Sequence, residues 1–161
     1  MKLLILNGPN LNLLGTREPD IYGRASYDDL CKLISQHAAA LGCEAEVLQS
    51  NHEGALIDAI QGAQGVYGGI VINPGAYAHY SYAIYDALRA VDVPAVEVHL
   101  TDITAREPFR AVSVTAAACV KTICGHGMQG YTEAMDYLKA NAPERSEKKA
   151  PLAGCVGAPI V

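Results

Sequence analysis

The sequence predicts an α/β fold, a five-stranded parallel sheet with helices on both faces. Three observations predict it. Short strand-like runs recur along the chain, at Lys2 to Leu6, Glu44 to Gln49, Gly69 to Ile72, Pro94 to His99 and Val120 to Cys124. The intervening sequence is taken as helical, giving strand–helix repeated five times. Polar residues gather just after several strands, where open α/β sheets bind ligands.

Length and composition set the bounds. A chain of 161 residues is long enough for one full core, and half of it is hydrophobic. A single domain over 1–142 is expected. A charged stretch from Pro143 and an Ala/Gly/Pro-rich end to Val161 predict a flexible tail over 143–161. The net charge is −5 and no Lys/Arg cluster precedes the tail, so a nucleic-acid partner is not expected. No apolar run is long enough to span a bilayer and no leader pattern opens the chain, so no membrane partner is expected. The five cysteines form no CxxC pair, which fits reduced thiols and a cytoplasmic location.

The first strand leads into Asn7 to Arg24, a long connection without regular pattern. Such loops are usually functional. Leu11, Leu13, Leu14 and Ile21 should let parts of it pack, with Gly15 and Gly23 as hinges. The expectation is a hinged lid carrying Arg17 and Tyr22 over a pocket. An unperturbed phenol titrates near pH 10, so bringing it close to neutrality requires about 3 units, or about 4 kcal/mol. One cation about 4 Å away, at an effective dielectric of about 20, supplies about 4 kcal/mol before desolvation. Arg17 can therefore make Tyr22 a base, although the residues alone do not separate that role from loop capping.

A helix from Ser26 to Leu41 follows, with Ser26 and Asp29 at capping-box spacing and Gly42 as the terminating glycine. Leu30, Leu33, Ile34, His37 and Leu41 share a face, and His37 is expected to be packed with a satisfied ring. After the second strand, Ser50 and Glu53 repeat the capping spacing before a short helix with Leu56, Ile57 and Ile60 inward, while His52 stays open.

The third strand ends in Asn73-Pro74-Gly75, taken as the opening of a helix that presents backbone amides and the Asn73 amide to a ligand, with His79 close by. The helix from Tyr80 to Val91 should turn Ala83, Ile84, Ala87, Leu88 and Val91 to the sheet. Tyr82, Tyr85, Asp86 and Arg89 should then face outward, which suggests a subunit interface. In the fourth strand Glu97 and His99 project to one side with Val98 opposite. A carboxylate beside an imidazole orients the ring and favours its charged form. Arg106 and Arg110 follow, suited to anchoring a polyol or carboxylate. The last helix runs from Met128 to Asn141, and size and order are flavodoxin-like. Gly125-His126-Gly127-Met128-Gln129-Gly130 matches a dinucleotide fingerprint, but no strand follows to carry the ribose-binding acid, so close strand–helix packing explains it better.

The stretches NGPNLNLLGTREPDIYG, SNHEG, NPGAYAHYSYAIYDAL, VEVH and REPFR resemble those of type II 3-dehydroquinate dehydratases, over about residues 3 to 140. The resemblance implies a flavodoxin-like subunit in a homododecamer built as a tetramer of trimers. It implies trans-elimination of water from 3-dehydroquinate, in the shikimate or quinate routes, with no metal and no cofactor. By position, Tyr22 would be the base, Arg17 would lower its pKa and Asn10 would hold a water that stabilises an enolate. His99, oriented by Glu97, would protonate the leaving hydroxyl. Asn73, His79 and Arg110 would hold ring hydroxyls. The N–H groups of Leu100 and Thr101 would hold the carboxylate, Arg106 would sit near Tyr22, and Asp86 would reach a neighbouring site. The chain departs from the family pattern at Thr101-Asp102, where Ser-Asn is frequent, at Pro108, where Glu is usual, and in its longer tail. Two other functions fit parts of the sequence: a metal hydrolase using Glu97, His99 and His79, and a non-catalytic phosphate-binding module using the N-terminal loop. Neither accounts for Arg17, Tyr22, Glu97 and His99 together.

Overall fold

The computed structural model describes residues 1–16 and 25–141. Arg17, Tyr22, Ile21, Gly23 and the 143–161 tail lie outside the described residues. Five strands, β1 (Lys2–Asn7), β2 (Glu44–Gln49), β3 (Gly69–Asn73), β4 (Ala95–His99) and β5 (Lys121–Cys124), form one sheet in the order β2-β1-β3-β4-β5. Every pairing is parallel. This is the flavodoxin-like order, and its reversal point lies between β1 and β3.

Alternation along each strand builds two cores. Leu3, Ile5, Val71, Val96 and Val98 meet α1 (Tyr27–Ala40) and α4 (Gln129–Ala140) through Leu30, Ile34, Tyr131, Met135 and Leu138. On the other face Leu4, Leu6, Ile70 and Ile72 meet α2 (Glu53–Gly62) and α3 (Tyr82–Ala90) through Leu56, Ile60, Ile84 and Leu88. Helices therefore cover both faces, as expected.

Local signals explain several boundaries. The Ser26–Asp29 capping box is fully formed at the start of α1, and Gly42 takes the left-handed conformation that ends it (φ 61°). His37 is satisfied by Asp136 at 2.7 Å. At Gly130, a Cβ would lie 3.1 Å from Val98 and 3.3 Å from Ile123, so the glycine pattern after β5 serves strand–helix packing.

Other expectations are corrected. The strand–helix unit does not repeat five times: between β4 and β5 the chain makes three 3-10 turns, Ile103–Ala105, Pro108–Arg110 and Thr115–Ala118, with no α-helix. Asp102 accepts the Thr104 N–H, and Pro108 has no N–H to give, so the segment closes into short turns. Ser50 does not cap α2. Its hydroxyl accepts the N–H of His52, which is itself the N-cap. Asn73-Pro74-Gly75 opens a 3-10 turn, Gly75–His79, and α3 begins later behind Ser81, which caps Ile84. Ala83 is exposed instead of facing the sheet, and Tyr85 is half-buried. Of the loop leucines, Leu11 and Leu14 are buried but Leu13 is exposed. The four described cysteines are free and half-buried. Burial pushes the thiols of Cys31, Cys119 and Cys124 upward, which keeps them protonated and unreactive.

Candidate active site

A pocket opens beyond the carboxyl ends of β1, β3 and β4, at the reversal point of the sheet. Three loops wall it. Pro9, Asn10, Leu11 and Leu14 come from the β1 loop, Asn73, Gly75, Ala76 and His79 from the β3 loop, and His99 to Arg110 contribute the third wall.

The first two walls are locked together. The Gly8 N–H donates to the Asn73 carbonyl at 2.8 Å, and a Cβ on Gly8 would lie 2.3 Å from the Pro74 carbonyl oxygen. Asn10 is the one described non-glycine residue at positive φ (67°). Its N–H donates to Asn51 Oδ1 at 3.0 Å, and the Asn51 carbonyl accepts the Tyr77 hydroxyl at 2.9 Å. Asn51 thus ties Asn10 to the turn that carries His79. Sequence reasoning attended to Ser50, His52 and Glu53 and missed Asn51, whose partners are distant in the chain.

Beneath the pocket, Asn7 and Asn73 are register partners at the ends of β1 and β3. The Tyr131 hydroxyl donates to Asn7 Oδ1 at 2.6 Å, and Asn7 Nδ2 donates to the Tyr27 hydroxyl at 3.3 Å. Burial pushes the Tyr27 phenol up to about 12 and that of Tyr131 higher, so both are neutral structural groups. Asn73 Oδ1 accepts the Gly75 N–H at 3.2 Å. The Gly75 amide is therefore occupied internally, contrary to the expectation of a backbone amide free for a ligand.

Glu97 and His99 lie on the same side of β4, as two-residue spacing requires. His99 Nε2 meets Glu97 Oε1 at 2.7 Å, with Glu97 fully buried and His99 nearly so. Glu97 also accepts hydroxyls from Ser113 and Thr115, each at 2.5 Å, which sequence reasoning missed. His99 Nδ1 remains for the pocket. The His79 ring stacks near that of His99, centroids 6.4 Å apart, and its Nδ1 donates to the Val112 carbonyl at 2.9 Å.

Arg106 and Arg110 both line the pocket, with Glu107 between them. Arg110 Nε meets Glu107 at 2.8 Å and Arg106 Nε at 3.8 Å. The Glu107 carboxyl is held below its ordinary range, first by its own backbone N–H and then by Arg110. Pro108 starts the turn and leaves both arginines facing the pocket. Asp102 points its carboxylate at the Thr104 hydroxyl and N–H, which hold its pKa down, and it does not line the pocket. The N–H groups of Leu100 and Thr101, in the pocket wall, make no hydrogen bond among the described residues. Asp86 is exposed on α3 and does not line this pocket. Among the described residues, no group of three His, Cys, Asp or Glu side chains is placed to hold a metal ion, and no helix is long and apolar enough to cross a membrane.

Comparison with known proteins decides the family. The family model described as "Dehydroquinase class II" matches residues 1–139. The chain belongs to the class II dehydroquinase family. It is 52% identical to the 3-dehydroquinate dehydratase of Clostridium acetobutylicum, over 86% of this chain and 96% of that one. It is 50% identical to the catabolic 3-dehydroquinase of Aspergillus oryzae, over 92% and 97%. The crystal structure of the type II dehydroquinase from Butyrivibrio crossotus superposes with a TM-score of 0.84 at 51% identity, covering 86% of this chain and 97% of that one. The dehydroquinase family assignment covers the whole sheet and every described pocket residue.

Proposed function

We propose that this chain removes water from 3-dehydroquinate by trans-elimination to give 3-dehydroshikimate, as a step of the shikimate or quinate routes. The observation that carries the proposal is the Glu97–His99 pair: a buried carboxylate holds the imidazole by Nε2 at 2.7 Å and leaves Nδ1 for a ligand in the pocket. The substrate is a ketone bearing hydroxyls and a carboxylate. The carbonyl acidifies the adjacent C–H, so proton loss and hydroxyl departure can be separate steps with separate acid–base groups.

The Tyr22 phenolate, favoured by Arg17, takes the proton alpha to the ketone, and the C–H electrons enter an enolate. Asn10, at the mouth of the pocket, holds a water against the enolate oxygen. As the electrons return, the carbon–hydroxyl bond breaks, and His99 gives its proton so that water leaves. The product is a conjugated enone. One proton goes to Tyr22 and one leaves His99, so the charges balance over the cycle. Asn73, His79 and Arg110 hold ring hydroxyls, and the N–H groups of Leu100 and Thr101 take the carboxylate. Arg106 lies near the lid and Tyr22. Residues 1–142 act as one catalytic domain. The assembly is a homododecamer, a tetramer of trimers in the cytoplasm, in which Asp86 extends toward a neighbouring site; its exposure on α3 supports that placement.

The test mixes purified protein with 3-dehydroquinate and follows the absorbance of the enone. Growth of that absorbance is expected, and its loss in Tyr22→Phe with substrate binding retained supports Tyr22 as the base. A folded, assembled sample with no turnover would remove the proposal.

A further inference from the structure

Glu97 is a fully buried carboxyl whose partners come mostly from another segment. Oε1 receives His99 Nε2 at 2.7 Å and the Ser113 hydroxyl at 2.5 Å, and Oε2 receives the Thr115 hydroxyl at 2.5 Å. Thr115 is fully buried and Ser113 is half-buried. The segment bearing both hydroxyls is anchored to the turn that carries His79. The Val114 N–H donates to the Ala78 carbonyl at 2.8 Å, and the Val112 carbonyl accepts His79 Nδ1 at 2.9 Å.

A hydroxyl has one proton to give. The shortest contact of each hydroxyl is to Glu97, so both protons point at its carboxyl oxygens. An ionised carboxylate only accepts, so the third partner, His99, must bring an N–H. Among the described residues His99 is the one ion-pair partner of Glu97. The two hydroxyls therefore offset much of the cost of burying the charge. The other titratable and charged groups facing the pair are His79, Arg106 and Arg110 across the pocket, and the thiols of Cys119 and Cys124, which the Glu97 charge helps keep protonated.

We propose that Val112 to Thr115 is a positioning segment for both pocket histidines. Ser113 and Thr115 hold Glu97 as a charged acceptor and thereby keep His99 with Nε2–H toward Glu97 and Nδ1 toward the substrate, while the Val112 carbonyl sets the His79 ring. The inference rests on the reading of His99 as proton donor. It adds Ser113 and Thr115 as residues that act on the reaction without touching the substrate.

The experiment compares Thr115→Val, Ser113→Ala, their combination and Thr115→Ser. Thr115→Val keeps shape and removes the hydroxyl, and Thr115→Ser restores it. Each hydroxyl deletion should lower kcat about 10-fold and the combination about 100-fold, the scale of a lost hydrogen bond to a charged group. KM should stay within about twofold, and Thr115→Ser should recover most of the rate. Nitrogen NMR of histidine-labelled protein, with His99 assigned through His99→Asn, should show Nε2 protonated in the parent and that signature lost in the double variant. Unchanged kcat in the double variant, or a lower kcat with an unchanged His99 spectrum, would overturn the proposal. Ser113→Ala carries the test if Thr115→Val fails to fold. Absence of parental turnover would defeat the functional reading, while the nitrogen spectrum would still decide the positioning role.

Discussion

At the residue scale, the proposed reaction separates groups that move protons from groups that hold the ligand. His99→Ala should lower kcat by about 10² to 10⁴-fold, the range of a lost general acid, with a small change in KM, measured by the enone assay. Arg110→Lys should raise KM more than it lowers kcat. A lysine keeps the charge but loses the planar fork that faces Glu107 and the pocket together. Asn51→Ala should impair activity without touching the ligand, because it removes the Oδ1 that accepts the Asn10 N–H and so frees the Asn10 backbone from its left-handed conformation, while the backbone carbonyl that holds Tyr77 stays. The same assay, with added substrate analogue protection against proteolysis of the β1 loop, checks it. Glu97 and His99 were legible in the sequence because strand alternation alone puts them on one side. Asn51, Ser113 and Thr115 were not, since their partners lie 41, 26, 16 and 18 positions away and no local spacing encodes such contacts.

At the scale of elements, caps and glycines govern stability. Ser26→Ala should destabilise the protein by about 1 kcal/mol in urea titrations, the usual cost of an N-cap. The Asp29 carboxyl is held below its ordinary range by the Ser26 N–H and hydroxyl. A depressed folded-state carboxyl contributes stability above its unfolded pKa and loses it as pH falls through the folded value. The penalty of Ser26→Ala should therefore shrink in acid. Gly8→Ala should be more damaging than Gly130→Ala. Its Cβ would meet backbone at 2.3 Å, which cannot yield, whereas Gly130 faces side-chain methyl groups at 3.1 and 3.3 Å. The capping box of α1 was readable because it is encoded within four residues. The apparent box at Ser50 shows the limit of that signal: equal spacing is satisfied there by a tighter turn onto His52.

At the scale of the whole molecule, the parallel sheet puts three separate loops at one end of the strands. The proposed chemistry uses side chains, backbone N–H groups and one held water, so dehydration of 3-dehydroquinate should be unaffected by a strong chelator. The enone assay with and without chelator measures this. Under the proposed assembly, Asp86→Ala should lower activity or reduce the particle size, read together by rate and sedimentation. Asp86 is exposed on α3 and outside the described pocket, so an effect on turnover with the pocket intact would support the proposed subunit contact.

The sequence by itself determined the five strands, their parallel arrangement, the well-capped α1, and the pairing of Glu97 with His99. The strands, the cap and the pairing follow from short-range periodicity and spacing, which the backbone geometry enforces locally, and the parallel arrangement from the strand–helix alternation that holds everywhere but between β4 and β5. Tertiary structure alone decided that residues 100 to 119 form 3-10 turns with no α-helix, that the Gly75 amide is taken by Asn73, and that Asp102 turns away from the pocket. It also decided that the segment around Ser113 closes over Glu97. These outcomes depend on which distant group satisfies a buried charge or amide first, a competition settled only when the sheet has brought the loops together.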